Sequence, residues 1–399
     1  MTTLTPKRIE SIDILRGIIM VIMALDHTRD YVHIGANIDD PLNLATTTPA
    51  LYATRWITHF CAPLFVFLSG VSIYLQGLKK SSQQLGSFLV KRGLWLIVAE
   101  CVIISFAWTF NPFFNVIAFQ VIWAIGISMV IIGALLLIKI PYKLLLVLGL
   151  VIVLGHNALD FIEKAPGFKA NFWWDLLHSG SFAFYPYAPN HFLIIAYPFL
   201  PWTGLMLLGY CAGIWFTTDY SAAKRKKILL QTGTALILFF VALRFANFYG
   251  DPKPWTTQKN SLYTFLSFMD VHKYPPSLLY HSITIGIGLL ALAGIENIKN
   301  RFTNIMQVFG RTAFFYYILH LYLIHIVATV IFFANGHTID DAFNLAQNMP
   351  FLFVAPGEGF NLLMTYVVWI GVVVALYPLC SWYNRYKSNH KEKWWLSYL

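Results

Sequence analysis

The sequence predicts an all-α, polytopic integral membrane protein of about ten transmembrane helices with both termini cytoplasmic, and three observations carry that class. Of its 399 residues 58% are hydrophobic and only 12% charged, at a mean hydropathy of +0.62; soluble domains carry about twice that charged fraction. Apolar runs long enough to cross hydrocarbon recur along the whole chain. The basic residues concentrate in alternate connections, the bias of cytoplasmic loops.

In order, the apolar runs place spans near 12–34, 51–77, 86–107, 115–138, 142–158, 192–217, 227–248, 275–294, 311–333 and 360–384. With the N-terminus inside, Lys7, Arg8, Lys79, Lys80, Lys139, Lys143, the Lys224–Lys227 cluster, Arg385 and Lys387 all fall on the cytoplasmic side. The fifth span is short, and 297–311 has room for a further half-helix, which would make eleven. The first segment holds Asp13 and Arg16 and lacks a small-residue cleavage site, so it reads as a retained helix and not a signal peptide. The four cysteines (Cys61, Cys101, Cys211, Cys380) fall within spans without metal-ligand spacing and are expected as buried free thiols. No HExxH, paired CxxC or phosphate-cradling glycine motif occurs, so no metal is expected.

Residues 1–399 read as one membrane domain, with the informative motifs in 1–80 and a cytoplasmic interfacial tail at 386–399, where Lys391 to Trp395 suits the headgroup layer. The net charge of +10 needs no nucleic acid; the basic cluster beside a span is a topology signal or a contact with anionic lipid. Three longer loops, 159–191, 249–274 and 334–359, are rich in aromatics, Pro, Gly and Asn. That composition suits sugar rings and equally suits the membrane interface.

Charge inside the first span is the strongest functional signal, because an ionisable group in a bilayer costs several kcal/mol unless paired or wet. At about 100° per residue, Asp13, Arg16, Met20 and His27 share one stripe, about 21 Å long from Asp13 to His27. The span ends Asp26-His27-Thr28-Arg29-Asp30. In the second span Arg55 and His59 are four residues apart and share a face. Pro63 is expected to kink that helix and free a carbonyl. Tyr316 and His320 share a face of a later span, with His325 turned away, while Glu100 and Arg244 are further intramembrane candidates.

The runs Ser11-Ile12-Asp13-Ile14-Leu15-Arg16-Gly17, Met23 to Asp30 and Ala62-Pro63-Leu64-Phe65-Val66-Phe67-Leu68-Ser69-Gly70 resemble the heparan-α-glucosaminide N-acetyltransferase-like transmembrane acyltransferases, in particular their bacterial branch of unassigned function. Lys273-Tyr274-Pro275-Pro276-Ser277 and Phe309-Gly310-Arg311-Thr312 through His320 resemble that branch too. The resemblance implies an enzyme of a bacterial cytoplasmic (inner) membrane that takes acetyl-CoA from the cytoplasm and acylates a sugar or glycan on the far side. On that basis Asp13, Arg16, Lys273, Tyr274 and Ser277 are assigned to the acyl-CoA, and Arg29, Arg55, His320 and Tyr316 to the acceptor, with Arg55 or Arg29 also the candidate oxyanion ligand. His27 is the expected base, oriented by Asp26 or Asp30, with His59 in support. One departure stands out. In the lysosomal enzyme the catalytic histidine lies in the loop after the first helix, where this chain offers only His33. The assignment to His27 therefore rests on helical geometry as much as on likeness.

Direct attack by the acceptor and an acyl-histidine intermediate both fit these residues, as do N- and O-acylation. A transporter of a lipid, sugar or anion using the same stripe is the alternative from another class, and a non-catalytic scaffold a third. Lipid contact is expected throughout, and a homo-oligomer is compatible with the sequence.

Overall fold

Local signals place the helices of the computed structural model, which describes residues 9–346 and 350–397; Lys7 and Arg8 of the expected cytoplasmic charge set lie outside them. Helix α1 (Glu10–Val32) is apolar between charged ends and stops at His33, whose backbone is extended. Helix α2 (Pro49–Ile57) starts with proline inside a Thr48 cap that accepts the Leu51 N–H. It runs through a 3-10 turn, Thr58–Phe60, into α3 (Cys61–Gly77). Pro63 has no N–H for the carbonyl four residues back, that of His59, and the Tyr280 hydroxyl donates to it at 2.8 Å. The predicted free carbonyl is therefore real, and another helix satisfies it.

Helix α4 (Ser82–Ala99) opens on a Ser81/Gln84 capping box, passes through a π-helical turn at Glu100–Ile104, and ends as α5 (Ser105–Thr109). Glu100 is wholly buried, and its Oε2 accepts the Trp123 N–H at 2.7 Å in the first turn of α6 (Val121–Leu137). Next come α7 (Tyr142–Gly155), α8 (Leu159–Glu163), α9 (Phe172–Leu177), α10 (Phe199–Ala212), α11 (Ala222–Ala246), α12 (Ser261–Met269) and α13 (Leu278–Ile295). The chain closes with α14 (Arg301–Arg311), α15 (Ala313–Ala334), α16 (Ile339–Leu345) and α17 (Leu362–Asn389). The expected half-helix within 297–311 is α14, amphipathic and capped by Asn300.

Among the described residues, seven helical stretches are long and apolar enough to cross a membrane: Pro49–Gly77, Tyr142–Glu163, Phe199–Phe216, Ala222–Ala246, Leu278–Ile295, Ala313–Ala334 and Leu362–Asn389. Val121–Leu137 is apolar but shorter. Helix α1 falls outside the set because it carries Asp13, Arg16, Asp26, Arg29 and Asp30. Its solution is burial inside the bundle, against α3, α13, α14, α15 and α17. Exposed Val147, Val151, Leu238, Phe245, Leu363 and Val374 give α7, α11 and α17 apolar outer faces suited to lipid.

The helices dominate as expected, with one small sheet beside them. A three-stranded sheet forms from β1 (Val116–Phe119), β2 (Ala183–Ala188) and β3 (His191–Ile195) in the order β1-β3-β2. Strands β1 and β3 pair in parallel with Val116 opposite Phe192, and β2 pairs antiparallel with β3. The predicted spans at 115–138 and 192–217 absorb β1 and β3, because a short apolar run reads alike as strand or helix start.

Helices α1 and α14 cross in direct backbone contact. A Cβ on Gly17 would lie 1.8 Å from the Met306 carbonyl oxygen, and one on Gly310 1.8 Å from that of Asp13. Only glycine fits either position, as at small-residue crossings in membranes. The crossing sets Arg311 beside Asp13.

Candidate active site

The two ends of the α1 stripe have different surroundings. At one end Arg16 reaches Asp13 at 3.4 Å and the Ser72 hydroxyl at 2.8 Å, while Arg311 approaches the other Asp13 oxygen at 3.5 Å. Asp13 thus sits between two guanidinium groups contributed by helices α1 and α14.

At the other end, His27 faces a cavity of about 60 Å³. Its walls include Asp26, Asp30, Thr58, Cys61, Trp108, Gln120, Tyr197, Lys273, Tyr274 and Tyr317. His27 Nδ1 lies 2.7 Å from His320 Nε2, and His320 Nδ1 lies 2.9 Å from the Tyr316 carbonyl oxygen. A carbonyl only accepts, so His320 carries its proton on Nδ1 and presents a lone pair at Nε2. His27 must then donate from Nδ1, which leaves the lone pair of its Nε2 as the free one. Trp108 packs edge-on to the His27 ring with centroids 4.8 Å apart, and Tyr316 stacks on His320 at 5.2 Å.

This replaces the expectation that Asp26 or Asp30 orients His27. Asp26 is held by Arg29 at 3.0 Å and by Arg55 at 3.0 Å, and Asp30 by Arg29 at 2.5 Å. Asp26 anchors α2 to α1 through Arg55, and neither arginine appears in the cavity wall. His59 is also displaced from its expected place. Its ring is 1% exposed, lies edge-on to Tyr280 at 5.3 Å, and among the described residues neither nitrogen has a hydrogen-bond partner.

Residues assigned to the acyl-CoA by likeness divide between the two ends. Asp13 and Arg16 share one end, whereas Lys273 and Tyr274 line the His27 cavity. Ser277 is the N-cap of α13, accepting the Tyr280 N–H and donating to Asp251 at 2.7 Å, so its role is structural. Tyr316 reaches the site through its carbonyl and ring, while its buried hydroxyl has no hydrogen-bond partner among the described residues. Glu100 caps α6, and Arg244 donates to the carbonyls of Lys253, Ser267, Phe268 and Asp270, tying down a loop. Cys61, Cys211 and Cys380 are buried free thiols as expected, and Cys101 is only half-buried. In the 159–191 loop, Trp174 and His178 both donate to Glu163 and thus hold the loop together, while Trp173 and Phe184 stay exposed.

Trp108, Gln120, Tyr197 and Tyr317 were not singled out from the sequence. They are uncharged and lie in apolar surroundings, so nothing local marks them.

A family described as heparan-alpha-glucosaminide N-acetyltransferase, catalytic, matches residues 8–246. The chain belongs to this family. No curated protein matches the chain at a significant level. As a heparan-alpha-glucosaminide N-acetyltransferase family member it is a membrane transferase of the acetyltransferase type, in a family that in general uses acetyl-CoA as donor and a glycan as acceptor. The matched part of the sequence contributes His27, Asp26, Arg55, Trp108 and Tyr197. Lys273, Tyr274, Tyr317 and His320 complete the site from beyond it.

Proposed function

We propose that the protein moves an acetyl group from cytoplasmic acetyl-CoA to an amine or hydroxyl of a sugar on the opposite side of its membrane, with His27 Nε2 as the base. The observation that carries this reading is the hydrogen-bond chain from the Tyr316 carbonyl through His320 to His27, which holds one imidazole tautomer with its free lone pair at the cavity. Histidine is suited to proton transfer near neutral pH. The termini lie in the cytoplasm of a bacterial inner membrane, and residues 1–399 act as one catalytic domain.

The donor enters at the Asp13 end of α1. There Arg16 and Arg311, brought together by the Gly17–Gly310 crossing, supply charge-assisted hydrogen bonds for phosphate groups. The pantetheine arm spans the roughly 21 Å of the α1 stripe to bring the thioester to His27. Family membership and the ion pairing that immobilises Asp26 both favour an enzyme over a transporter, whose charged path has to change partners during transport.

The test is acetyl-CoA binding and CoA release by the purified protein with glucosamine as acceptor. Wild type binds saturably and turns over, and His27→Ala binds but does not turn over. Turnover at the wild-type rate in His27→Ala overturns the role of His27. Absence of acetyl-CoA binding by folded wild type overturns the acetyltransferase reading in favour of transport. Arg16→Gln weakens donor binding more than acceptor binding; the reverse order contradicts a donor site at the Asp13 end.

A further inference from the structure

The charges around the cavity do not cancel, and the excess is one cation. Asp26 and Asp30 are both neutralised, the first by Arg29 and Arg55 and the second by Arg29. Neither guanidinium lines the cavity, and Arg29 Nη1 is buried without a hydrogen-bond partner among the described residues. Lys273 is different. It is 9% exposed and lines the cavity, its Nζ lies 4.9 Å from the centre of the Tyr274 ring and hydrogen-bonds that side chain, and among the described residues no carboxylate forms an ion pair with it, the Asp26 carboxylate only feeling its charge from further off.

Its backbone is held firmly. Lys273 pairs with Pro276 in a one-residue bridge, the Ser277 N–H donates to the His272 carbonyl at 3.0 Å, and the His272 N–H donates to Asp251 at 2.9 Å. Asp251 in turn receives the Ser277 hydroxyl and lies 3.7 Å from Arg244. An ammonium held in a partly desolvated cleft with no carboxylate ion-paired to it is available to an arriving anion, and its effect is largest where charge develops during reaction.

We propose that Lys273 Nζ is the oxyanion ligand of the acetyl transfer, a role that sequence reasoning assigns to Arg29 or Arg55 and one distinct from donor binding. The inference rests on the acetyltransferase reading. The acceptor nitrogen or oxygen forms a bond to the thioester carbonyl carbon and passes its proton to His27 Nε2. The carbonyl π pair moves onto oxygen, where Lys273 compensates it. Collapse of the tetrahedral intermediate breaks the C–S bond, and the departing thiolate takes the proton back from His27. All atoms and charges balance without a further reactant.

The experiment compares Lys273→Met and Lys273→Arg with wild type, measuring CoA release with glucosamine as acceptor, and with water alone, beside acetyl-CoA binding by calorimetry. Lys273→Met is expected to lower kcat about 100- to 1000-fold for both acceptors, with the Kd for acetyl-CoA within about threefold. Lys273→Arg, which keeps the charge, is expected to recover at least about a tenth of wild-type kcat. If Lys273→Met does not fold, Lys273→Gln takes its place under the same criteria. A kcat within about threefold of wild type overturns the assignment. So does a loss of acetyl-CoA binding equal to the loss of kcat/KM, which would make Lys273 a donor ligand, or a defect with glucosamine but not with water, which would make it an acceptor ligand. A folded wild type that fails to bind acetyl-CoA removes the broader reading and this one together, and is told apart by the wild type alone.

Discussion

Replacing His320 by phenylalanine keeps a flat ring in the same buried place and removes the acceptor that fixes His27. In the native arrangement His27 Nδ1 donates to His320 Nε2 over 2.7 Å, and His320 is wholly buried. Without that acceptor the Nδ1–H tautomer leaves a buried donor unsatisfied, which costs about 1–3 kcal/mol. The imidazole escapes part of that cost by moving its proton to Nε2, where it no longer serves as a base. At about 1.4 kcal/mol per tenfold, the active tautomer falls about 5- to 150-fold. The assay is kcat for CoA release, measured with the Kd for acetyl-CoA in the same preparation. His320→Phe is expected to lose kcat in that range with little change in Kd. His320→Gln, whose carboxamide oxygen can reach the position of Nε2 and accept from Nδ1, is expected to recover much of it. A His320→Phe enzyme with wild-type kcat refutes the tautomer argument, and so does a glutamine variant as impaired as the phenylalanine one.

Other predictions address the frame around the site. Asp26→Asn leaves Arg29 and Arg55 buried without their shared counter-ion, and loss of one partner of a buried pair costs about 3–5 kcal/mol; thermal unfolding in detergent should shift well below wild type, and an unchanged midpoint would contradict the pairing. Gly17→Ala forces the α1–α14 crossing apart, since its Cβ meets a carbonyl oxygen at 1.8 Å; it should weaken both stability and acetyl-CoA binding, because Arg311 moves with α14. In the 334–359 loop, the His337 ring hydrogen-bonds Glu358 at 2.9 Å and holds its carboxyl below the ordinary 4.5. A lowered pKa stabilises the folded loop above about pH 4.5, and the contribution fades as pH falls through the folded value. The protection of amides beside Asn335 and Glu358, corrected for the intrinsic pH dependence of exchange, should therefore fall on acidification, and His337→Gln should reduce that fall while the Asn335 hydrogen bond keeps part of it.

Much of this organisation was legible in the sequence, and the reasons are local. Periodicity alone put Asp13, Arg16 and His27 on one stripe of α1, since 3.6 residues per turn decides which side chains share a face. Proline chemistry alone marked a carbonyl freed by Pro63, and charge inside an apolar run marked α1 as the candidate functional helix. Tertiary structure decided which groups answer these local features. His27 meets a histidine 293 positions away, Asp26 takes up arginines from α1 and α2, and the lysine lining the cavity, Lys273, comes from the turn before α13. It also turned two apolar runs into strands, because sheet pairing needs a distant partner. A helix face is a property of a few neighbouring residues. The tautomer and net charge of a buried site depend on how helices far apart in the chain pack together.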